Sequence, residues 1–188
     1  INETTEATFP KKKIRQAELR FLRAHSHFML KLLFKKVPYI VETMSADEKA
    51  KASNDMTNEA LWNMIAEDFL FAYNTLPQSQ TEPGRADKSA AAAYLSKLRL
   101  YQAYEQNDTH KVTNINTSRL QEVIKYADDV TGALEPDFGN NFLYGYDNGP
   151  ESIWAAQFSK NDGTLVSRVS FVTGLNSPHG TGLYGCCG

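Results

Sequence analysis

The stretch Ala17–Glu42, AELRFLRAHSHFMLKLLFKKVPYIVE, decides the fold. Counting from just before it, apolar residues recur at Ile14, Ala17, Phe21, Ala24, Phe28 and Leu32, in steps of three and four. That is the period of one buried helix face. Ala17 and Ala24 are small, so a partner helix can approach closely there. The helix is expected to stop at Val37-Pro38, because proline pushes the residue before it out of the helical region.

Working outward, Ser45–Asp55 is charged and alanine-rich and reads as a surface connector with a short helical turn. A second long helix is predicted from Thr57 or Asn58, both good caps, through Leu61, Ile65, Phe69, Ala72 and Leu76 to Pro77. The next helix is announced by Gly84–Gln102, GRADKSAAAAYLSKLRLYQ. Asp87 is its N-cap, the Ala90–Ala93 run permits close packing, and Leu95, Leu98 and Tyr101 supply the buried bulk. It is predicted to run from Lys88 to about Glu105 and to end at Asn107, Asp108 and Thr109. A fourth begins near Ser118 with Gln121 as capping-box partner, packs through Leu120, Val123, Ile124 and Ala127, and closes at Gly132. Helices that cannot each bury a stripe alone must stack, which predicts a mainly α, irregular helical-hairpin array. The strict tetratricopeptide consensus is absent.

Composition changes after Gly132, where Gly, Asn and Asp turns multiply. Residues 1–132 are therefore read as a helical scaffold, and 133–188 as a loop-rich region with a short β-hairpin. Its strands are placed at Ser152–Ser159, with Trp154, Ala156 and Phe158 on one side, and at Leu165–Val172, joined by Asn161-Asp162-Gly163.

Three segments together resemble the SusD/RagB family of outer-membrane nutrient-binding lipoproteins. The first carries Ala17, Glu18, Arg20, Leu22, Arg23, Ala24, Phe28, Leu30, Phe34, Val37 and Pro38. The second carries Gly84, Arg85, Ala86, Lys88, Ala90, Ala91, Leu95, Lys97, Leu100 and Tyr101, with Asp87 where the family has a hydroxyl residue. The third carries Glu151, Ser152, Ile153, Gln157, Phe158 and Ser159. The resemblance implies a tetratricopeptide-like scaffold and a non-catalytic protein that captures a nutrient, glycan by default, at the outer-membrane surface. It implies as partners a SusC-like TonB-dependent transporter and a poly- or oligosaccharide. Family members are much longer and start with a lipidated cysteine after a signal peptide. This chain opens at Ile1 and stops at Gly188, so the resemblance implies an internal piece whose membrane contact would be an N-terminal lipid anchor absent from this sequence.

The 188 residues, 41% hydrophobic, suffice for one domain with a real core, or one and a half. A net charge of −2 and a pI near 6.1 argue against a general nucleic-acid binder. The basic run Lys11, Lys12, Lys13, Arg15, Arg20 and Arg23 is spread around a helix, as on a solvated face. The longest apolar run, Phe28–Val37, is broken by Lys31, Lys35 and Lys36 and falls short of a membrane span. Cys186 and Cys187 are adjacent and have no metal-ligand spacing, so they read as free thiols.

Catalytic motifs are sparse. HExxH, the P-loop and GxSxG do not occur. His25 and His27 point to different helix faces and cannot share a metal easily; His110 and His179 stand in loops without ligand partners. No metal or cofactor is implied. Asp128 with Asp129, and Glu135 with Asp137, are paired carboxylates, but a glycosidase needs two that face each other from separate elements. The sequons at Asn2, Asn107 and Asn116 are short enough to arise by chance.

Recognition, if present, belongs to aromatics. Phe138, Phe142, Tyr144 and Tyr146 share a loop with Asn140, Asn141, Asp147 and Asn148. Sugars present apolar ring faces for stacking and hydroxyls for amides or carboxylates. The same aromatics can instead pin a long loop to the scaffold. The candidate ligand-binding residues are Phe142, Tyr144, Tyr146, Trp154, His179 and Tyr184. The rival functions are a helical-repeat adaptor that binds peptide or protein in a groove, and a glycan-cleaving enzyme using loop carboxylates. A chain of this length is expected to hydrolyse neither glycan nor peptide and to hold its ligand weakly or not at all.

Overall fold

A computed structural model of the chain describes residues 3–107, 109, 111–143 and 145–157. The chain divides into two compact units, Ile1–Trp154 and Ala155–Gly188, and every helix described lies in the first. The expected strand Leu165–Val172, the Asn161–Gly163 turn, Phe158 and both cysteines lie outside the described residues.

Helix α1 spans Lys12–Phe34 and buries Ala17, Phe21, Ala24 and Phe28 completely. It closes before the expected Val37-Pro38 stop. The Lys35 amide donates to the Lys31 carbonyl at 2.9 Å, and Lys36 N–H then bonds Phe34 O at 2.7 Å. Lys35, at φ 63°, is thus the centre of a γ-turn with positive φ, a rare and strained form. A five-residue helix, α2 (Ala46–Ala50), fills the connector, fixed by a reciprocal Ser45–Glu48 capping box.

Helix α3 is Asn58–Thr75, with the Thr57 hydroxyl accepting from Ala60 N–H at 3.2 Å. Helix α4 is Lys88–Ala103, with the Asp87 carboxylate accepting from Ala90 N–H at 2.8 Å, so aspartate does serve as the cap. α4 stops two residues short of the expected Glu105. Tyr104–Gln106 instead forms strand β1, antiparallel to β2 (Val112–Ile115). Asn107, read from sequence as a helix end, is the hinge of this hairpin. Its side-chain oxygen accepts from Thr109 N–H, Thr109 Oγ1 and Lys111 N–H at 2.8–3.1 Å. Every residue of both strands is exposed, so there was no alternation to detect.

Helix α5 spans Thr117–Asp128. Its cap is Asn116, which accepts from Arg119 N–H at 3.2 Å, and not Ser118. Its inner face carries Tyr126 with Leu120 and Val123 half-buried, while Ile124 and Ala127 point to solvent, against expectation. Gly132 lies beyond the helix end: at φ 151° it lets the chain pass Pro150, whose carbonyl oxygen would stand 3.3 Å from an added Cβ. Residues 152–157 run as irregular chain, so the described part of the expected 152–159 strand is absent.

α1 packs on α3, α3 on α4 and α4 on α5, the consecutive stacking of a helical array. Phe21, Ala24, Phe28, Leu61, Ile65, Phe69, Ala91, Leu95 and Leu98 form one buried cluster between the first three. The outer face of α1 carries a second apolar stripe, Leu19, Leu22, Met29, Leu33 and Phe34, that is exposed in this unit. Among the described residues no helix is long and apolar enough to cross a membrane.

Two carboxylates organise the array. Asp68, on α3 and only 1% exposed, accepts from Arg20 Nε at 2.5 Å, from Arg23 Nε and Nη2 at 2.6 and 2.8 Å, and from the Tyr39 hydroxyl at 2.5 Å. Burial pushes its pKa up, but the bonds from Arg23, Tyr39 and Arg20 outweigh that and hold it below the usual carboxylate value. Glu18 accepts from Arg15 at 2.7 Å, Gln80 at 3.0 Å and Arg85 at 3.1 Å, tying α1 to the loop before α4. Arg20, Arg23 and Arg85 thus join helices and loops.

Candidate functional site

The chain leaves α5 under close control. The Asp129 carboxylate accepts the Tyr73 hydroxyl, and this bond, with burial, pushes the tyrosine up to about 12. Ser89 Oγ on α4 accepts from Thr131 N–H at 2.8 Å and donates to Thr131 O at 3.2 Å. Ala133 N–H then bonds Pro150 O at 3.1 Å, closing residues 133–150 into a loop with adjacent ends.

Along that loop and at its exit, Asp137, Glu135 and Glu151 have local partners. Asp137 accepts from Gly139 N–H at 2.9 Å and starts a 3-10 turn, Phe138–Phe142. Glu135 accepts from the Asn140 amide at 2.9 Å. Glu151 accepts from the Asn141 amide at 2.8 Å and from Glu135 N–H at 3.1 Å; these bonds hold its pKa below the usual value. Acids so engaged brace the loop.

The braced loop turns its aromatics outward. Phe138 and Phe142 lie edge to face with centroids 5.2 Å apart, 73% and 75% exposed, and Tyr146 is half exposed. Phe142, Tyr146, Asn141, Leu143, Asp147 and Ser152 help line a shallow depression of about 280 Å³. Exposed rings beside amide and carboxylate groups can stack on a flat apolar face and hydrogen-bond hydroxyls.

The other candidates lie elsewhere. Trp154 does not line the depression. Its Nε1–H donates to Gly84 O at 3.0 Å, and its ring meets Phe21 at 5.1 Å and His25 at 5.1 Å, so it fastens the end of the loop to α1 and the α4 entry. Tyr144, His179, Tyr184 and His110 lie outside the described residues. His25 is wedged against Trp154 and Tyr94, with its pKa lowered by burial and by Lys97. His27 Nδ1 sits 2.9 Å from Arg23 O. Among the described residues no group of three or more His, Cys, Asp or Glu side chains could hold a metal ion.

Residues 1–100 match the SusD-like family described as starch-binding and associating with the outer membrane. SusD-like protein P2 of Formosa agariphila is 29% identical over 126 residues, which cover 67% of this chain and 23% of that protein. A SusD-like protein from Bacteroides fragilis superposes with a TM-score of 0.62 at 22% identity, over 81% of this chain and 28% of its own. A structure determined with xylogluco-oligosaccharide gives 0.68 at 23% identity, over 84% and 31%. A laminarin-binding SusD-like protein gives 0.55 at 22% identity, over 73% and 29%. These structural likenesses establish a shared fold, and the chain spans about a quarter to a third of the length of the relatives it matches.

Proposed function

The chain belongs to the SusD-like family, and from that premise we propose that it serves non-catalytic glycan capture at the outer-membrane surface, for delivery to a SusC-like TonB-dependent transporter. In this reading residues 1–132 are the rigid scaffold and the segment from 133 onward begins the recognition part. Phe142 and Tyr146 offer ring faces, with Asn141 and Asp147 as hydroxyl partners; Tyr144, His179 and Tyr184 remain candidates for the same task.

The observation that carries the reading is the exposure of Phe138, Phe142 and Tyr146 on a loop braced by Asp137, Glu135 and Glu151. Rings left in water on a rigid platform suit stacking, and need no activated nucleophile. A shallow, open site implies weak affinity for this chain, about millimolar, or roughly 4 kcal/mol of binding free energy. Saturation-transfer NMR with malto-, laminari- and xylogluco-oligosaccharides tests it, alongside an assay for new reducing ends. Saturable transfer without cleavage supports the reading; cleavage, or no transfer from any of the three, overturns it.

The exposed stripe of Leu19, Leu22, Met29, Leu33 and Phe34 favours a second reading, a helical-repeat adaptor with a protein-facing groove. Peptide binding lost in Leu22→Glu, with no glycan response, would select it.

A further inference from the structure

The recognition loop has a charge bias that says which sugars it accepts. From residue 128 to 157 the chain carries Asp128, Asp129, Glu135, Asp137, Asp147 and Glu151 and not one lysine or arginine. None of the described residues lining the depression is basic, and Asp147 is among them. Glu135 and Glu151 are satisfied by neutral amide donors, so their charges are left without a cationic neighbour among their hydrogen-bond partners. Among the described residues that line the depression with Phe142 and Tyr146, the charged side chain is thus a carboxylate, Asp147.

We propose that this site selects neutral and amino-bearing oligosaccharides and rejects uronate and sulfate-ester glycans. The inference rests on the glycan-capture reading above and deepens it from "glycan" to a charge class. A sugar hydroxyl can donate to Asp147 or Asn141 while its ring stacks on an aromatic face. A carboxylate or sulfate on the same ring would bring like charge toward Asp147 without an arginine or lysine to receive it. An ammonium group meets the opposite situation, attraction to the same acids.

The test uses pairs of probes that share a sugar backbone and differ chiefly in charge, titrated into the full chain at low salt and followed by NMR. Oligogalacturonide is compared with its methyl ester, and chito-oligosaccharide amine with its N-acetylated form. The neutral ester is expected to bind at about the millimolar level and the free acid about tenfold more weakly or worse, with the gap narrowing as salt is raised. The amine is expected to bind at least as well as the acetamide. Asp147→Lys is expected to bring the acid toward the ester.

The two ways of failing are separable. Equal binding of acid and ester, both lost in Phe142→Ala, would leave the capture site standing and overturn the selectivity. Binding of no member of either pair, or binding indifferent to Phe142→Ala, would overturn the site and the selectivity with it.

Discussion

Asp68 and Lys31 are the most deeply buried charged residues among those described. At Asp68 the arginines that face it keep partial water contact, with side-chain exposures of 33% and 20%. Asp68→Asn removes the counter-charge shared by Arg20 and Arg23, of which Arg23 keeps its pair with Glu42, and is expected to cost about 3 kcal/mol, the lower end for a broken buried pair. Urea unfolding measures it. The folded pKa of Asp68 is depressed, so its stabilisation is present above its unfolded pKa and lost as pH falls through the lower folded value. The variant should therefore lose less of its remaining stability in acid than the wild type. Lys31 is buried against Trp62 with Nζ 2.6 Å from Asn58 Oδ1, and burial, partly offset by Glu59, pushes it down to about 8. Between pH 8 and its ordinary 10.5 the folded group is neutral while the unfolded one is charged, so stability should rise with pH across that window. Thermal melts at about pH 7.5 and about pH 9.5, in wild type and Lys31→Met, check this, with the rise smaller in the variant. Asp68 was visible in principle. It stands with Leu61, Ile65 and Ala72 on the buried stripe of α3, and a carboxylate there demands a cationic partner. Which arginines answered it could not be read, because they come from 45 and 48 residues away.

At the scale of elements, legibility followed amphipathicity and capping. α1, α3 and α4 announced themselves because each has one buried stripe and, for the last two, a side-chain cap at the expected place. The close crossings rest on Ala24 and Ala91, both fully buried. Ala24→Leu or Ala91→Leu is expected to destabilise by about 1–3 kcal/mol through overpacking, read as a fall in Tm. The β1–β2 hairpin was illegible because it is exposed throughout and its turn is set by one asparagine side chain. In α5 the expected stripe is half right: Leu120 and Val123 face inward, but the buried residue is Tyr126, packing edge-on to Tyr73 with centroids 5.3 Å apart, whereas Ile124 and Ala127 face out. The outer stripe of α1 was masked in the sequence by the stronger inner one.

For the molecule as a whole, Trp154 joins the loop to the scaffold. Read from sequence as a ligand candidate, it packs into the aromatic cluster of Phe21, His25 and Tyr94 and bonds Gly84 O. Trp154→Ala should cost about 2–3 kcal/mol, less than a fully buried tryptophan, and should speed amide exchange in residues 133–152 more than in α3. The candidate rings themselves were legible as an aromatic cluster in a polar loop, but their outward orientation was not, since it depends on Asp137, Glu135 and Glu151 bracing the turn beneath them. In the proposed capture function, glycan meets the chain on this loop. Hydrogen exchange with and without a saturating neutral oligosaccharide tests it most directly. Added protection in peptides covering 138–152, with α1, α3 and α4 unchanged, is the expected result; protection confined to those helices, with the loop untouched, would contradict it.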